Sequence, residues 1–250
     1  MSRLFGLPDG VHGSAAFSKD KEFRYSLERR WNADLPQFTF ILLNPSEAGA
    51  DRDDETSQRL HALTMANGGG GFELINLFAK VDTDQIGLTY PAAVGETVAS
   101  NDEWIAAAVS RSRTLVLGWG DGSSQGVTAA AREAGVRRRA REVWPMVRFY
   151  SPRCFKVNAS GSPGHPLYLK STSRISRYSP KPDYPWELGR ELGDVHRGVS
   201  PLHSVVTMVP LPEYQRRGVR RAWLRMHGLE TGLSKLVIRR DLTGVLQQDE

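Results

Sequence analysis

Short runs of apolar residues recur along the first 170 positions, and each is followed by a polar or glycine-containing break. Runs of this length, rich in branched and aromatic side chains, are typical of buried strands. The segments between them combine helical spacing with capping residues, which predicts helices. The predicted strands span residues 38–43, 72–78, 114–119, 147–150 and 154–157. The predicted helices span residues 54–65, a segment from a cap at Asn101 or Asp102 to residue 109, and residues 127–143.

Strands that alternate with helices indicate βαβ units. The predicted fold class is therefore α/β, with a mostly parallel open sheet flanked by helices in three layers. Ligands of such sheets bind beyond the carboxyl ends of the strands. Polar or aromatic residues follow the predicted strands at those ends, namely Asn44, Ser46, Asn76, Trp119, Asp121 and His165. The sequence thus predicts a site at that edge of the sheet.

The residue composition along the chain predicts four segments. Residues 1–16 form an N-terminal arm and residues 17–170 form the α/β domain. Residues 171–200 begin with a stretch rich in Ser, Pro and Arg, which is typical of a linker. Residues 201–250 are predicted to be a poorly ordered basic extension, for which a helix is the alternative.

Composition narrows the class of protein. An apolar fraction of 40% and a charged fraction of 24% are typical of a globular protein. The single cysteine, Cys154, excludes an intramolecular disulfide and a Cys-rich zinc site. No apolar run is long enough for a membrane span, and the first residues lack the apolar core of a secretory signal. We therefore expect a cytoplasmic protein without a cofactor or metal, and the sequence leaves its oligomeric state open.

Most of the net charge of +5 lies after residue 174. Within that region, Arg217, Arg220 and Arg221 share one face if the segment is helical. Such a face is either solvated or in contact with nucleic-acid phosphates. Any affinity for nucleic acid that depends on overall charge is expected from this part of the chain.

The two polar segments after the first strand each have a structural and a functional interpretation. Asn44 and Ser46 either form a simple turn or present polar groups to a ligand. Asp53 and Asp54 either begin a helix, where acidic residues complement the dipole, or act as carboxylates that activate water or hold a metal.

Three further residues leave the same choice open. Asn76 interrupts an apolar strand, so its amide either fixes a neighbouring loop or contacts the polar edge of a ring. Trp119, beside Gly120, either covers the core or packs against a flat ligand. His165 is either structural or catalytic.

Taken in order, these residues resemble the bacterial family known as domain of unknown function 1643. The resemblance covers about 155 residues in motifs from Phe17 onward, and it includes Thr56 and Arg59 as well as the site residues above. Glu55 departs from the family, which usually has Pro at that position, and Ala48 is a second departure. Membership of this family implies no established activity.

The order of the motifs is also similar to that of the uracil-DNA glycosylase superfamily. That resemblance implies that the loop of Asn44 and Ser46 positions water, that Asn76 contacts the base edge, and that His165 stabilises the leaving base. The His-Pro loop departs from the superfamily because it continues with Leu167. We expect a domain that recognises a nucleobase, a nucleotide or a nucleic acid and hydrolyses an N-glycosidic bond. The alternative is a non-catalytic accessory module of a phage or mobile element.

Overall fold

The structure is a computed structural model, and it describes residues 3–82, 90–122, 129–180, 237–240 and 246–249. The chain divides into two units, residues 1–188 and residues 189–250. The second unit contains one antiparallel pair of strands among its described residues. Arg217, Arg220 and Arg221 lie outside the described residues, as does the helix proposed for them.

The first unit contains nine strands, three α-helices and two single 3-10 turns among its described residues. The strands are β1 Phe5–Gly6, β2 His12–Phe17, β3 Arg24–Arg30, β4 Gln37–Leu42, β5 Arg52–Asp53, β6 Gly71–Asn76, β7 Thr114–Leu117, β8 Arg153–Cys154 and β9 Ser176–Arg177. The helices are α1 Glu55–Ala66, α2 Val98–Arg111 and α3 Ala129–Val147, and the 3-10 turns are Arg148–Tyr150 and Pro166–Tyr168. The pair in the second unit is β10 Val237–Arg240 with β11 Leu246–Asp249.

The main sheet is mixed, so the prediction of a mostly parallel sheet is wrong. Its order is β2-β3-β6-β4-β7-β8-β9. The central strands β6, β4, β7 and β8 are parallel, whereas β2, β3 and β9 run antiparallel to their neighbours. The parallel strands carry the apolar runs from which the sheet was predicted. The outer strands lack such runs: β2 and β9 contain no buried residue, and in β3 the buried Tyr25 and Leu27 lie between the buried charges of Arg24 and Arg29.

Helices pack on both faces of this sheet, as the alternation along β4 shows. Phe38, Phe40 and Leu42 contribute to an apolar cluster that also contains Leu60 of α1. Ile41 belongs to a second cluster, which contains side chains of α2 and α3. Alternate side chains of one strand therefore enter different cores, because neighbouring residues of a strand point to opposite faces.

Three predicted elements differ from those in the structure. α2 begins after Thr97, which forms a reciprocal cap with Ser100, and not at Asn101 or Asp102. The region predicted as a strand at residues 147–150 is the end of α3 followed by a 3-10 turn. Of the predicted strand at 154–157, only Cys154 lies in β8. These short segments are ambiguous because apolar periodicity does not separate a strand from a helix end over four residues.

The sheet also extends past both predicted ends of the domain. Strand β2 includes residues 12–16 of the predicted N-terminal arm, and β9 lies within the segment predicted as a linker. Backbone pairing brings these weakly apolar segments into the sheet, which local hydrophobicity does not reveal. Among the described residues, no helix has the length and apolar character needed to cross a membrane.

Candidate functional site

The candidate site lies where the carboxyl ends of β4, β6 and β7 meet. The chain passes from β4 through α1 to β6 on one side, and then through α2 to β7 on the other side of β4. At such a change in direction, the two connections leave the central strand on opposite sides. A crevice therefore forms beyond the carboxyl end of that strand, and α/β proteins bind ligands there. The residues that follow β4, β6 and β7 therefore border the same edge of the sheet.

The loop after β4 is held by its own polar side chains. The Asn44 amide donates to the carbonyl oxygens of Pro45, at 3.1 Å, and of Asp82, at 2.6 Å. It thereby joins the segment after β4 to the segment after β6. The Ser46 hydroxyl donates to Oδ2 of Asp54. Asn44 thus shapes the loop, while Ser46 and Asp54 form a polar pair at its end.

The two adjacent aspartates have different surroundings. Asp53 is buried, and its Oδ1 accepts a hydrogen bond from Arg29 Nε at 2.9 Å. Asp54 is the N-cap of α1: its Oδ1 accepts from the backbone N–H of Ser57 at 2.6 Å. The structural interpretation of Asp54 therefore holds, and the cap also places its second oxygen beside Ser46. Of the two carboxylates, Asp54 is the one that borders the loop after β4.

Asn76, at the end of β6, is the most unusual polar residue of this edge. Its side chain is 2% exposed, and neither its amide nitrogen nor its amide oxygen has a hydrogen-bond partner among the described residues. The register pairs it with Leu42, so the alternation of β6 places it on the α1 face of the sheet. An unpaired buried donor or acceptor costs about 1–3 kcal/mol. A buried amide that lacks both partners among the described residues requires an explanation, and completion of the site by a ligand is one.

The loop that carries His165 packs directly on the segment after β7. The N–H of Gly120 donates to the Pro163 carbonyl at 2.8 Å, and a Cβ on Gly120 would lie 3.4 Å from that of His165. Gly120 has a φ of +70°, a conformation that disfavours other residues. Trp119 is fully buried in the cluster beneath α2 and α3. Its indole therefore belongs to the core, and the backbone contact with the His165 loop is made by the next residue, Gly120.

Hydrogen bonds hold the chain that leads to His165. The Asp121 carboxylate accepts from Asn158 at 2.9 Å and from the hydroxyls of Ser160 and Ser162. Tyr178 donates to the Gly161 carbonyl at 2.7 Å. This network fixes the position of a loop, which is needed for a precisely placed side chain.

The electrostatic surroundings of His165 keep its ring neutral. Burial lowers the pKa of His165 to about 4, and the negative charge of Asp54 only partly offsets this effect. Its Nδ1 accepts a hydrogen bond from the N–H of Leu167 at 3.4 Å. With Nδ1 as an acceptor, the neutral ring carries its proton on Nε2. His165 can therefore donate a hydrogen bond at neutral pH without carrying a charge.

Arg24 is a site residue that the sequence interpretation missed. The pairing of β2 with β3 skips Tyr25, so that Ala16 pairs with Ser26 and Phe17 with Arg24. A bulge of this kind redirects side chains. Tyr25 stacks on Trp104 of α2, whereas Arg24 donates from one amino group to the Ala48 carbonyl at 2.8 Å, in the loop after β4. No sequence pattern marks a bulge, and the only signal is that Arg24 and Tyr25 are among the motifs that resemble the family.

Thr56 and Arg59 lie on α1, away from its capping contacts. Thr56 is half-buried in the first turn, two residues after Asp54. Arg59 borders a groove of about 510 Å³ between α1 and the turn at Pro166–Tyr168. The groove is lined by Phe5, Glu55, Gln58, Arg59, Ala62, Leu167 and Tyr168. Arg59 thus lies at a groove next to the His165 loop, and it forms no hydrogen bond with Asn76.

The described residues contain no group of three His, Cys, Asp or Glu side chains that could hold a metal ion. No curated protein and no solved structure matches the chain. A family model described as "Protein of unknown function (DUF1643)" matches residues 24–167, which is more than half of the 250 residues. That range begins at Arg24 and includes Asn44, Asp54, Asn76 and His165. The chain therefore belongs to the DUF1643 family of proteins of unknown function.

Proposed function

We propose that this domain recognises a nucleobase, and that it hydrolyses the N-glycosidic bond between that base and its sugar. The observation that carries the proposal is Asn76, whose amide is buried at the ligand-binding edge of the sheet with neither atom paired among the described residues. An amide offers a donor and an acceptor side by side. Ring edges with an adjacent carbonyl and N–H, such as that of uracil, present the complementary pair.

The neighbouring groups suit the chemistry of such a ligand. Hydrolysis adds water to the anomeric carbon while the carbon–nitrogen bond breaks and its electron pair leaves with the base. Asp54 would accept the proton from that water, since its carboxylate borders the loop after β4 and is oriented by Ser46. His165 would donate a hydrogen bond from Nε2 to the base as negative charge develops there, and a neutral imidazole can serve as this donor.

The test combines binding with turnover. The purified protein would be incubated with modified nucleosides and with uracil-containing DNA, and released base would be measured by chromatography. In parallel, the shift in melting temperature caused by each nucleoside would be recorded. We expect Asn76→Ala to remove the shift and Asp54→Asn to reduce base release by roughly a hundredfold or more, as for loss of a general base.

A matched control separates recognition from general damage to the fold. Asn32 accepts from the backbone N–H of Asp34 and lies near the start of β6, at the other edge of the sheet. Asn32→Ala should leave both readouts unchanged. Binding without base release in the wild type would favour the non-catalytic module, and the absence of both would contradict base recognition itself.

A further inference from the structure

Arg24 carries a buried positive charge without a carboxylate partner among the described residues. Its side chain is 2% exposed, and its Nε has no hydrogen-bond partner. One amino group donates to the Ala48 carbonyl at 2.8 Å, and the negative charge of Asp54 acts on it without a hydrogen bond between them. Burial lowers the pKa of Arg24 to about 10, so the group remains charged at neutral pH.

The other buried arginines of the domain are neutralised. Arg29 forms an ion pair with Asp53, and Arg139 forms ion pairs with Asp102 and Glu142. Asp54 accepts hydrogen bonds from Ser46 and from the Ser57 backbone and forms none with Arg24. Burial of a charge without a hydrogen-bonded counter-charge is unfavourable. Arg24 thus differs from Arg29 and Arg139 in having capacity for a further anion.

The backbone of Arg24 lies beside the segment that follows Asn76. Its backbone N–H donates to the Ala79 carbonyl, three residues after Asn76, and β3 is the neighbour of β6 in the sheet. The bulge at Tyr25 directs the Arg24 side chain toward the loop after β4, and Asn76 faces the same side of the sheet. The unpaired amide of Asn76 and the guanidinium of Arg24 therefore lie at the same edge of the sheet and on the same face of it.

We propose that Arg24 binds the phosphate of a nucleotide whose base contacts Asn76. This inference rests on the proposed function and narrows its substrate class from nucleosides to phosphate-bearing ligands, either nucleoside monophosphates or nucleotides within a strand. A guanidinium presents its N–H groups as a fork that matches phosphate oxygens. The phosphate would supply the counter-charge that Arg24 lacks among the described residues and occupy the Nε donor.

The experiment compares nucleosides with their 5′-monophosphates by isothermal titration calorimetry at low salt, with inorganic phosphate and acetate as separate probes. For the wild type, we expect each monophosphate to bind roughly tenfold or more tightly than its nucleoside, because hydrogen bonds to charged groups are the stronger ones. Inorganic phosphate should compete with the monophosphate, and acetate at equal concentration should not. Arg24→Gln should remove the preference, and Arg24→Lys should retain only part of it.

Arg30→Gln is the matched control. It removes the same charge from the same strand, but Arg30 pairs with Gly71 at the opposite edge of the sheet and donates to the Ala33 and Leu35 carbonyls. The preference of the Arg30→Gln variant for monophosphates over nucleosides should equal that of the wild type. Circular dichroism would establish that each variant is folded. If Arg24→Gln does not fold, Arg24→Lys, which keeps the charge, tests the role of Arg24, and the wild-type comparison tests the preference for phosphate.

The possible outcomes distinguish failure of the phosphate site from failure of base recognition. Equal affinity of the wild type for nucleosides and monophosphates would overturn the phosphate site and leave base recognition standing. A preference that persists in Arg24→Gln would overturn the role of Arg24, and competition by acetate as strong as that by phosphate would overturn the choice of phosphate. Binding of inorganic phosphate through Arg24, without any binding of nucleosides or nucleotides, would support the anion site and contradict base recognition.

Discussion

Arg29 donates from Nε to Oδ1 of Asp53 over 2.9 Å, and both side chains are buried. One amino group of the same arginine donates to the carbonyls of Gly49 and Arg52. The Arg29 side chain of β3 thereby binds the loop after β4 at Gly49 and Arg52. It also binds Asp53, the residue before Asp54. The geometry of the candidate site depends on this pair, because it anchors Asp53, the residue before the N-cap of α1.

The two aspartates are predicted to differ in how much stability the same substitution removes. Asp53→Asn leaves the Arg29 charge buried without a counter-charge, and it should lower the free energy of unfolding by about 3 kcal/mol or more. Asp54→Asn keeps a side chain that caps helices equally well, so it should change stability by about 1 kcal/mol or less. Urea denaturation followed by circular dichroism measures both. Equal losses in the two variants would contradict the assignment of a structural role to Asp53.

Asn76→Leu is predicted to stabilise the ligand-free protein. Leucine has a similar size and removes two buried polar atoms that have no partner among the described residues, so the free energy of unfolding should rise by about 1–3 kcal/mol. The same substitution should abolish binding, which is the usual trade between stability and function at a site. Denaturation in the absence of ligand provides the measurement.

Asn101→Leu serves as the control for this prediction. The Asn101 amide donates to the carbonyls of Asn76 and Leu77 at 3.2 and 3.0 Å. Its replacement removes two buried hydrogen bonds and leaves the Leu77 carbonyl with the bond from Arg139 Nε, so the protein should become less stable. If both variants lose stability alike, Asn76 has partners in solution and is part of the fold alone.

The stability of the protein should depend on pH through His165. The folded pKa of about 4 lies below the ordinary value of 6.5, so the unfolded chain binds a proton in a range where the folded protein does not. The contribution of His165 to stability is therefore complete above pH 6.5 and is lost as the pH falls to about 4. The loss is on the order of 3 kcal/mol.

Wild type and His165→Gln should be compared by denaturation from pH 7 to pH 4. The variant should lose less stability over this range. Burial also lowers the pKa of His61, but that residue is present in both proteins and cancels in the comparison. Parallel curves for the two proteins would show that the folded pKa of His165 is not depressed.

Gly118→Ala is predicted to displace the His165 loop. A Cβ at this position would lie 2.9 Å from a methyl carbon of Leu42 and 3.1 Å from Cδ of Pro166. Overpacking of this kind typically costs about 1–3 kcal/mol, and the shift of Pro166 should weaken ligand binding as well. Gly135→Ala, inside α3, meets only ordinary contact with Tyr90 at 3.6 Å and should stabilise the protein by about 0.5–1 kcal/mol. A neutral Gly118→Ala would place the loop farther from β7 than the structure does.

The sequence determined the elements that are strongly patterned. The apolar runs in β4, β6 and β7 predicted the central strands, and Asp54 predicted the start of α1, because strand alternation and helix capping depend on residues close in the chain. The same patterns predicted that Asn76 and His165 lie at the carboxyl ends of strands. They could not predict β2 and β9, whose residues are exposed or only partly buried and join the sheet through backbone pairing.

The roles of the polar residues were decided by tertiary structure alone. From the sequence, Asp53 and Asp54 are equivalent, and Trp119 is as well suited to a ligand as to the core. The structure pairs Asp53 with Arg29, buries Trp119 beneath α2 and α3, and leaves Asn76 and Arg24 with unpaired buried atoms among the described residues. The physical reason is that hydrogen bonding and charge compensation depend on partners distant in the chain. A bulge of one residue at Tyr25 decides where Arg24 points, and the residue types along β3 do not encode it.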